Sequence, residues 1–348
     1  MKYGGIAMVR NISVLGAGSM GTAVSVLLAG NGHNVLMWSL YKDEVDMINN
    51  VREQKDKLPG VIIPQSVRCT GDLEEAARFS DIFVLAIPSQ RVRENVKAIA
   101  SVRPKPSVIS CFSKGLERES GLRMSEVIKE ELPGATVVAM SGPCHAEELS
   151  RGIPTAYVAA SESRKAAEMI QDLFMSHRFR VYTNPDIVGV ELGGAIKNVI
   201  ALCAGISDGL GYGDNTKAAL MTRGIAEISR LGCAMGALRQ TFSGLAGIGD
   251  LIVTCTSMHS RNRRAGILIG KGLSVDQAME EVKMVVEGVY TTEPVYNLSR
   301  KLGVRMPITE EAYAILFEGK DPASAVSALM SRDKTCEHEA EDLDDVWK

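Results

Sequence analysis

The chain has 348 residues, 45% of them hydrophobic and 23% charged, and a formal net charge of −3. The length exceeds one typical core and predicts about two domains of ordinary globular composition, and the charge gives no footing for nucleic acid or an anionic membrane as main partner. The 7 cysteines are scattered with no C-x-x-C pair, which predicts a reducing, cytoplasmic setting rather than a disulfide framework or a zinc site.

No apolar stretch approaches the ~18 residues needed to cross a bilayer, so no transmembrane segment is expected. The short apolar run behind Lys2 and Arg10 reads as a first strand rather than a signal peptide. That strand, Ile12–Leu15, leads into Gly16-Ala17-Gly18-Ser19-Met20-Gly21, and the breaker-free stretch Thr22 to Ala29 behind it predicts a helix. G-x-G-x-x-G alone is common. Between a strand and a helix it predicts a dinucleotide site: Gly16 for the tight turn, Gly18 for approach of a pyrophosphate, Gly21 for close helix–strand packing. The unpaired N–H groups and partial positive charge of the helix N-terminus suit the phosphates.

Further strands are predicted at Asn34–Trp38, Ile82–Ile87, Ser107–Cys111, Thr136–Met140 and Thr155–Ala159. Pro88, Lys114-Gly115 and Gly142-Pro143 punctuate three of their ends. Strands alternating with helices predict a parallel, doubly wound sheet of Rossmann type, in which ligands sit outside the C-terminal strand ends. An acid about twenty residues past the fingerprint would bind a ribose 2′-hydroxyl and favour NAD. Ser39 stands there instead, followed by Leu40, Tyr41 and Lys42. NAD and NADP both stay open, with a tilt to NADPH.

From Val188 the strand signal fades. Val188, Leu192, Ile196, Val199, Cys203 and Ile206 recur at helical spacing and predict one long helix with a buried stripe. Asn215 to Leu231, Val275 to Val282, Thr292 to Leu302 and Thr309 to Glu318 predict further helices. The chain thus divides into an α/β domain over 1–187, an all-α domain over 188–335 and an acidic, disordered tail over 336–348. Val181 to Asp186 is the expected joint, with Asn184-Pro185-Asp186 as turn and helix cap.

Gly193-Gly194 inside the long helix cost about 1 kcal/mol each relative to alanine. They predict close approach of another group to that backbone. Lys197-Asn198 follow within a turn, off the buried stripe, so Lys197 reads either as a site lysine or as a solvated one. Gly244-Leu245-Ala246-Gly247-Ile248-Gly249-Asp250 reads as a glycine-rich turn presenting Asp250 and, further on, the hydroxyl of Thr254. Ser260-Arg261-Asn262-Arg263-Arg264 combines guanidinium forks with small polar groups and suits a phosphate or carboxylate. Two patterns read as decoys. Gly205-Ile206-Ser207-Asp208-Gly209 fits a G-x-S-x-G nucleophile elbow but follows a helix, not a strand. His145 with Glu147 and Glu148 lacks the spaced partners of a metal site.

Together these blocks resemble the bacterial NAD(P)-dependent glycerol-3-phosphate dehydrogenases. The carriers are the glycine fingerprint, Ser113-Lys114-Gly115, Ser141-Gly142-Pro143-Cys144-His145-Ala146-Glu147-Glu148, Glu191 to Asn198, Gly247 to Leu251, Ser260 to Arg263 and Val286-Glu287-Gly288. The resemblance spans about residues 10 to 335 and implies interconversion of dihydroxyacetone phosphate and sn-glycerol 3-phosphate by a cytoplasmic homodimer. It implies Lys197 as general acid/base, with Asp250 and Lys114 beside it. Lys114, Gly142, Cys144, Lys197, Asn198, Asp250, Thr254, Ser260, Arg261 and Asn262 become the expected substrate contacts. Gly16, Gly18, Ser19, Met20, Gly21, Leu40, Tyr41, Lys114, Ala146, Arg261, Val285 and Glu287 become the expected cofactor contacts.

The chain departs from that pattern at three places. Leu40 and Tyr41 stand where relatives carry basic residues suited to a 2′-phosphate, Cys144 replaces a Ser or Thr, and Met20 replaces an aromatic residue. The residues also admit other readings: a 3-hydroxyacid or 6-phosphogluconate type of two-domain dehydrogenase, or a non-catalytic nucleotide sensor. Lys197, Asp250 and Arg261 together speak against the sensor.

Overall fold

The structure is a computed structural model that describes residues 9–104, 108–334 and 336–337. Ser107 of the predicted fourth strand, and the expected acidic tail beyond Glu337, lie outside the described residues.

In chain order the first half comprises β1 Asn11–Leu15, α1 Ser19–Gly30, β2 Asn34–Trp38, α2 Lys42–Asp46, β3 Glu53–Gln54, β4 Leu58–Ile62, β5 Val67–Thr70, α3 Leu73–Phe79, β6 Ile82–Leu85, α4 Val92–Val102, β7 Val108–Cys111, α5 Met124–Glu131, β8 Thr136–Ser141, α6 Ala146–Ser150, β9 Thr155–Ala160, α7 Arg164–Phe174 and β10 Phe179–Asn184. Eight of these strands form one sheet in the order β10-β9-β8-β7-β6-β1-β2-β5, and β3 pairs with β4 separately. Side chains alternate across the sheet. Ile12 and Val14 pack with Val35, Met37 and Val84 on one face. Leu15 packs with Phe83, Leu85 and Ile109 on the other. Each such fully buried apolar side chain contributes about 1.5–3 kcal/mol.

The expected parallel order holds from β5 through β8. β9 pairs antiparallel with β8, and β10 runs parallel to β9. Residues 142–154 join β8 to β9 and contain the 5-residue α6, and the return they make is antiparallel. β5 and β10 were not predicted, and β10 occupies most of the stretch expected as a joint. Both are edge strands whose burial alternates, which weakens the apolar signal.

The second half comprises α8 Ile187–Gly209, α9 Asp214–Ala234, α10 Arg239–Phe242, α11 Asp250–Thr256, α12 Arg261–Gly270, α13 Val275–Val282, α14 Glu287–Leu302, α15 Pro307–Phe317 and α16 Pro322–Met330. Asp186 caps α8 as expected, its Oδ1 accepting the Gly189 N–H at 2.8 Å. α14 starts five residues before the predicted Thr292, with Glu287 in its first turn. The expected glycine-rich turn is helical, as is the block Ser260 to Arg264. Leu245–Gly249 forms a wide turn that runs into α11, and the Ser260 hydroxyl caps α12 by accepting the Arg263 N–H at 3.2 Å.

By length and composition α8 could cross a membrane, contrary to the sequence expectation, because its interior polar residues are few. Of its apolar window, 83% is buried inside the protein, which makes it the central core helix. It is covered on nearly all sides rather than along one stripe, and Lys197 is itself only 5% exposed.

Glycines bring α12 against α8. A methyl at Gly205 would sit 2.9 Å from Gly266 Cα, and one at Gly209 2.8 Å from Gly270 Cα. Reciprocally, methyls at Gly266 and Gly270 would overlap the carbonyls of Leu202 and Ile206. This explains the decoy: Gly205 and Gly209 of the G-x-S-x-G match are packing positions four residues apart. Gly266→Ala should therefore cost about 1–3 kcal/mol or more, since backbone on both sides cannot yield. Urea unfolding measures it, and a variant as stable as the parent would contradict the contact.

Candidate active site

The fingerprint glycines do what their spacing predicts. Gly16 has φ +110°, and a Cβ there would stand 2.5 Å from the Ala86 carbonyl oxygen. A Cβ at Gly21 would overlap the Gly16 carbonyl, whereas around Gly18 there is open space. Gly18 caps α1 with no side chain on its first N–H groups. An open backbone face at a helix N-terminus fits a pyrophosphate. Met20 packs against the core beneath this loop.

At the end of β2, Leu40 is 73% and Tyr41 62% exposed. Ser39 is buried and donates its hydroxyl to Glu44, which also pairs with Lys57. Neither Glu44 nor Lys57 was singled out in the sequence.

Across the sheet's C-terminal edge lies a buried charge cluster. Asp250, 1% exposed, receives Lys114 Nζ on Oδ2 at 2.5 Å and Lys197 Nζ on Oδ1 at 3.0 Å. Lys197 also donates to Thr254 Oγ1 at 2.6 Å. Lys114 donates to the Gly142 carbonyl at 3.2 Å, and Ser141 donates to Asp250 Oδ2 at 3.2 Å. The two helix glycines make this possible. A Cβ at Gly193 would lie 2.6 Å from the Ala246 carbonyl, and one at Gly194 would lie 2.6 Å from Ser141 Oγ. The close approach predicted there is thus by the protein's own Asp250-bearing turn and β8.

The two lysines titrate in opposite directions. Burial, with the nearby Lys114 charge, lowers Lys197 to about 8 despite Asp250. Burial opposes charge on Lys114 too, but Asp250 and Tyr157 outweigh it and hold Lys114 above the ordinary lysine range. Burial would raise Asp250, and the two ammonium groups overcome it and lower its pKa. One carboxylate thus holds a fixed cation and a titratable one.

Burial pushes the Cys144 thiol up to about 12, so it stays protonated. His145 lies 3.5 Å from the Val253 carbonyl, with its pKa lowered by burial and by Lys197. At the helical side Arg261 donates to the Val285 carbonyl at 3.2 Å, and burial lowers its pKa despite Glu287. Glu287 accepts the Ser89 N–H at 3.0 Å and the Ser89 hydroxyl at 2.6 Å, tying α14 to the sheet half. Asn262 donates to Asn198 Oδ1 at 2.9 Å and accepts the Gly288 N–H at 2.8 Å. The Asn262 side chain therefore holds α8, α12 and α14 together, and the Ser260 hydroxyl is taken up by the α12 cap. Sequence reasoning missed Ser89 and gave Ser141, inside a quoted block, no role of its own. The available signal was a hydroxyl at or just past the end of an apolar strand.

A dinucleotide cradle beside a buried lysine–carboxylate–lysine cluster, built from both the sheet half and the helical half, defines a two-part, NAD(P)-dependent oxidoreductase. Family descriptions of the NAD-dependent glycerol-3-phosphate dehydrogenase N-terminus and C-terminus match residues 11–167 and 186–327. The chain belongs to the NAD-dependent glycerol-3-phosphate dehydrogenase family. It is 53% identical over 337 residues to the glycerol-3-phosphate dehydrogenase (NAD(P)+) of Bacillus velezensis, spanning 96% of this chain and 97% of that one. The Thermoanaerobacter sp. enzyme of the same name is 57% identical over 323 residues, 93% of this chain and 97% of that one. The crystal structure of the Coxiella burnetii glycerol-3-phosphate dehydrogenase superposes with a TM-score of 0.91 at 36% identity, covering 94% of this chain and all of that one.

Proposed function

We propose that this chain reduces dihydroxyacetone phosphate to sn-glycerol 3-phosphate with NADH or NADPH, and runs the reverse, with Lys197 as the proton carrier. The product serves glycerophospholipid synthesis. The observation that carries the assignment of roles is the pairing of Lys197 and Lys114 on one buried Asp250.

The Gly16–Gly21 loop and the α1 N-terminus would hold the pyrophosphate, with Ser19, Met20, Leu40, Tyr41, Ala146, Val285 and Glu287 around the rest of the nucleotide. When bound, the dihydronicotinamide supplies the hydride for the substrate's C2. Lys197 meets the charge that develops on the C2 oxygen and gives it a proton. Its pKa of about 8 keeps it charged at neutral pH yet able to release that proton. Lys114, held charged by Asp250, stays a fixed electrostatic partner. Gly142, Cys144 and Thr254 border this centre. The Arg261 guanidinium and the N–H groups opening α12, with Asn198 and Asn262 fixing their position, suit the substrate phosphate.

The pH profile tests the proton carrier. Reduction needs Lys197 protonated, so its kcat/KM should hold below pH ~8 and fall about tenfold per unit above it. Oxidation needs the neutral amine and should rise over the same range. A reduction profile flat to pH 10 would remove Lys197 from this role. The reaction itself is tested by the fall in NADPH and NADH absorbance with dihydroxyacetone phosphate. Tight nucleotide binding without turnover would favour the sensor reading.

We further propose division into a nucleotide domain, 1–187, and a substrate domain, 188–335, working as a cytoplasmic homodimer. The capped start of α8 after Asp186 and seven free thiols support the division and the setting respectively. Light scattering tests the dimer.

A further inference from the structure

The adenosine ribose of a dinucleotide sits at the C-terminal end of β2, next to the glycine loop. In this chain the strand end itself carries neither an acid nor a base: Ser39 is followed by the exposed Leu40 and Tyr41. Charge reaches the place from elsewhere. Glu44, in the first turn of α2 and 8% exposed, accepts the Ser39 hydroxyl and pairs with Lys57. Lys57 comes from the β3–β4 hairpin, which is tied to the glycine loop twice. The Lys57 carbonyl accepts the Ser19 hydroxyl at 2.6 Å, and Gln54 of β3 donates to the Ala17 carbonyl at 2.9 Å. The Lys57 ammonium also lies 5.6 Å from the centre of the Tyr41 ring.

One ammonium and one carboxylate therefore share the ribose end, already bonded to each other. An ammonium suits a 2′-phosphate, and a carboxylate suits ribose hydroxyls while repelling a phosphate. We infer that Lys57 and Glu44 are the specificity-determining pair of this enzyme. With NADP, Lys57 leaves Glu44 for the 2′-phosphate. With NAD, Lys57 stays on Glu44 and screens it, and Glu44 accepts a ribose hydroxyl. A reader that neutralises itself when no phosphate is present accounts for use of both cofactors by a strand end with no charge of its own. The inference rests on the reading of the chain as an NAD(P)-dependent dehydrogenase.

The test is calorimetric binding of NADP+, NAD+ and the fragment 2′,5′-ADP to the full chain, so turnover is not the readout. Lys57→Ala, with Lys57→Gln as a second variant, should lower the ratio of NADP+ to NAD+ affinity by about tenfold to a hundredfold, the worth of a charge-assisted hydrogen bond. 2′,5′-ADP should weaken in parallel. Glu44→Gln should move the ratio the opposite way, because it frees Lys57 and removes the repulsion. A merely structural role would weaken both nucleotides together. Lys42→Ala, the other nearby lysine, should leave the ratio in place. Equal effects on both nucleotides, no effect, or a ratio carried by Lys42 would each overturn the inference. Absence of dihydroxyacetone phosphate turnover with the ratio shifts intact would instead sink the substrate assignment alone.

Discussion

Lys197→Ala should retain its fold and lose about three to four orders of magnitude in kcat, the combined scale of proton donation and oxyanion stabilisation. The geometry separates the two effects. Lys197 gives Asp250 one of its two ammonium partners, and Lys114 remains on the other oxygen at 2.5 Å. The carboxylate is therefore not left as an unpaired buried charge, and the melting temperature should move little. Nucleotide affinity should also hold. Lys197→Arg keeps a cation, but a guanidinium does not release its proton near neutral pH, so its activity should lie between alanine and wild type. Single-turnover kinetics with dihydroxyacetone phosphate measures both variants. A loss of kcat smaller than about tenfold in the alanine variant would transfer the proton step to another group.

Asp250→Ala should be the more damaging change to the protein as a whole. It strands two ammonium groups that share one buried carboxylate, and breaking a buried pair from one side costs about 3–5 kcal/mol. Turnover should fall as well, because Lys197 loses both its orientation and the charge that keeps it protonated. Asp250→Asn keeps the shape and isolates the electrostatic part. Without the carboxylate, burial and Lys114 push Lys197 lower still, so the fall in reduction should begin at lower pH. The stability effect has a defined sign. Asp250 is lowered from 3.8 in the folded protein, so its contribution is present above that value and is lost as pH falls through the folded pKa. Denaturant titration at neutral and acid pH reads this. Asp250→Asn as stable as wild type, with its pH profile unmoved, would remove the counter-ion role.

The candidate site was legible where its residues are contiguous in the chain. Gly16 to Gly21 announce a backbone geometry that few other residues permit. The run Gly193 to Asn198 couples two costly helix glycines to a lysine, and the cost is explained by Ala246 and Ser141 lying against that backbone. What stayed hidden depends on pairs far apart in sequence: Ser89 with Glu287, Ser141 with Asp250, Lys57 with the glycine loop. A lone serine or lysine in an unremarkable stretch carries no periodicity that marks it. Lys197 itself was read as standing off the buried stripe. α8 has no dry and wet side, because sheet, turn and helices surround it, so the stripe understated its burial. The fold was legible for strands buried on both faces and not for the edge strands β5 and β10. The direction of β9 was beyond reach because alternation says nothing about polarity along a strand.

The glycine seam between α8 and α12 sets limits on how this protein can change length over generations. Lys197 and Asn198 lie on α8 within two turns of the seam, and Arg261 and Asn262 open α12 just before it. The seam is backbone against backbone, with no rotamers to absorb a misfit. One inserted residue in either helix would rotate the following glycines by about 100° and drive side chains into the opposite chain. Insertions and deletions in descendants of this gene should therefore gather in the connections outside 197–209 and 261–270. The spacing between Lys197 and the start of α12 is inherited as a unit, while the loops that frame it are free to drift.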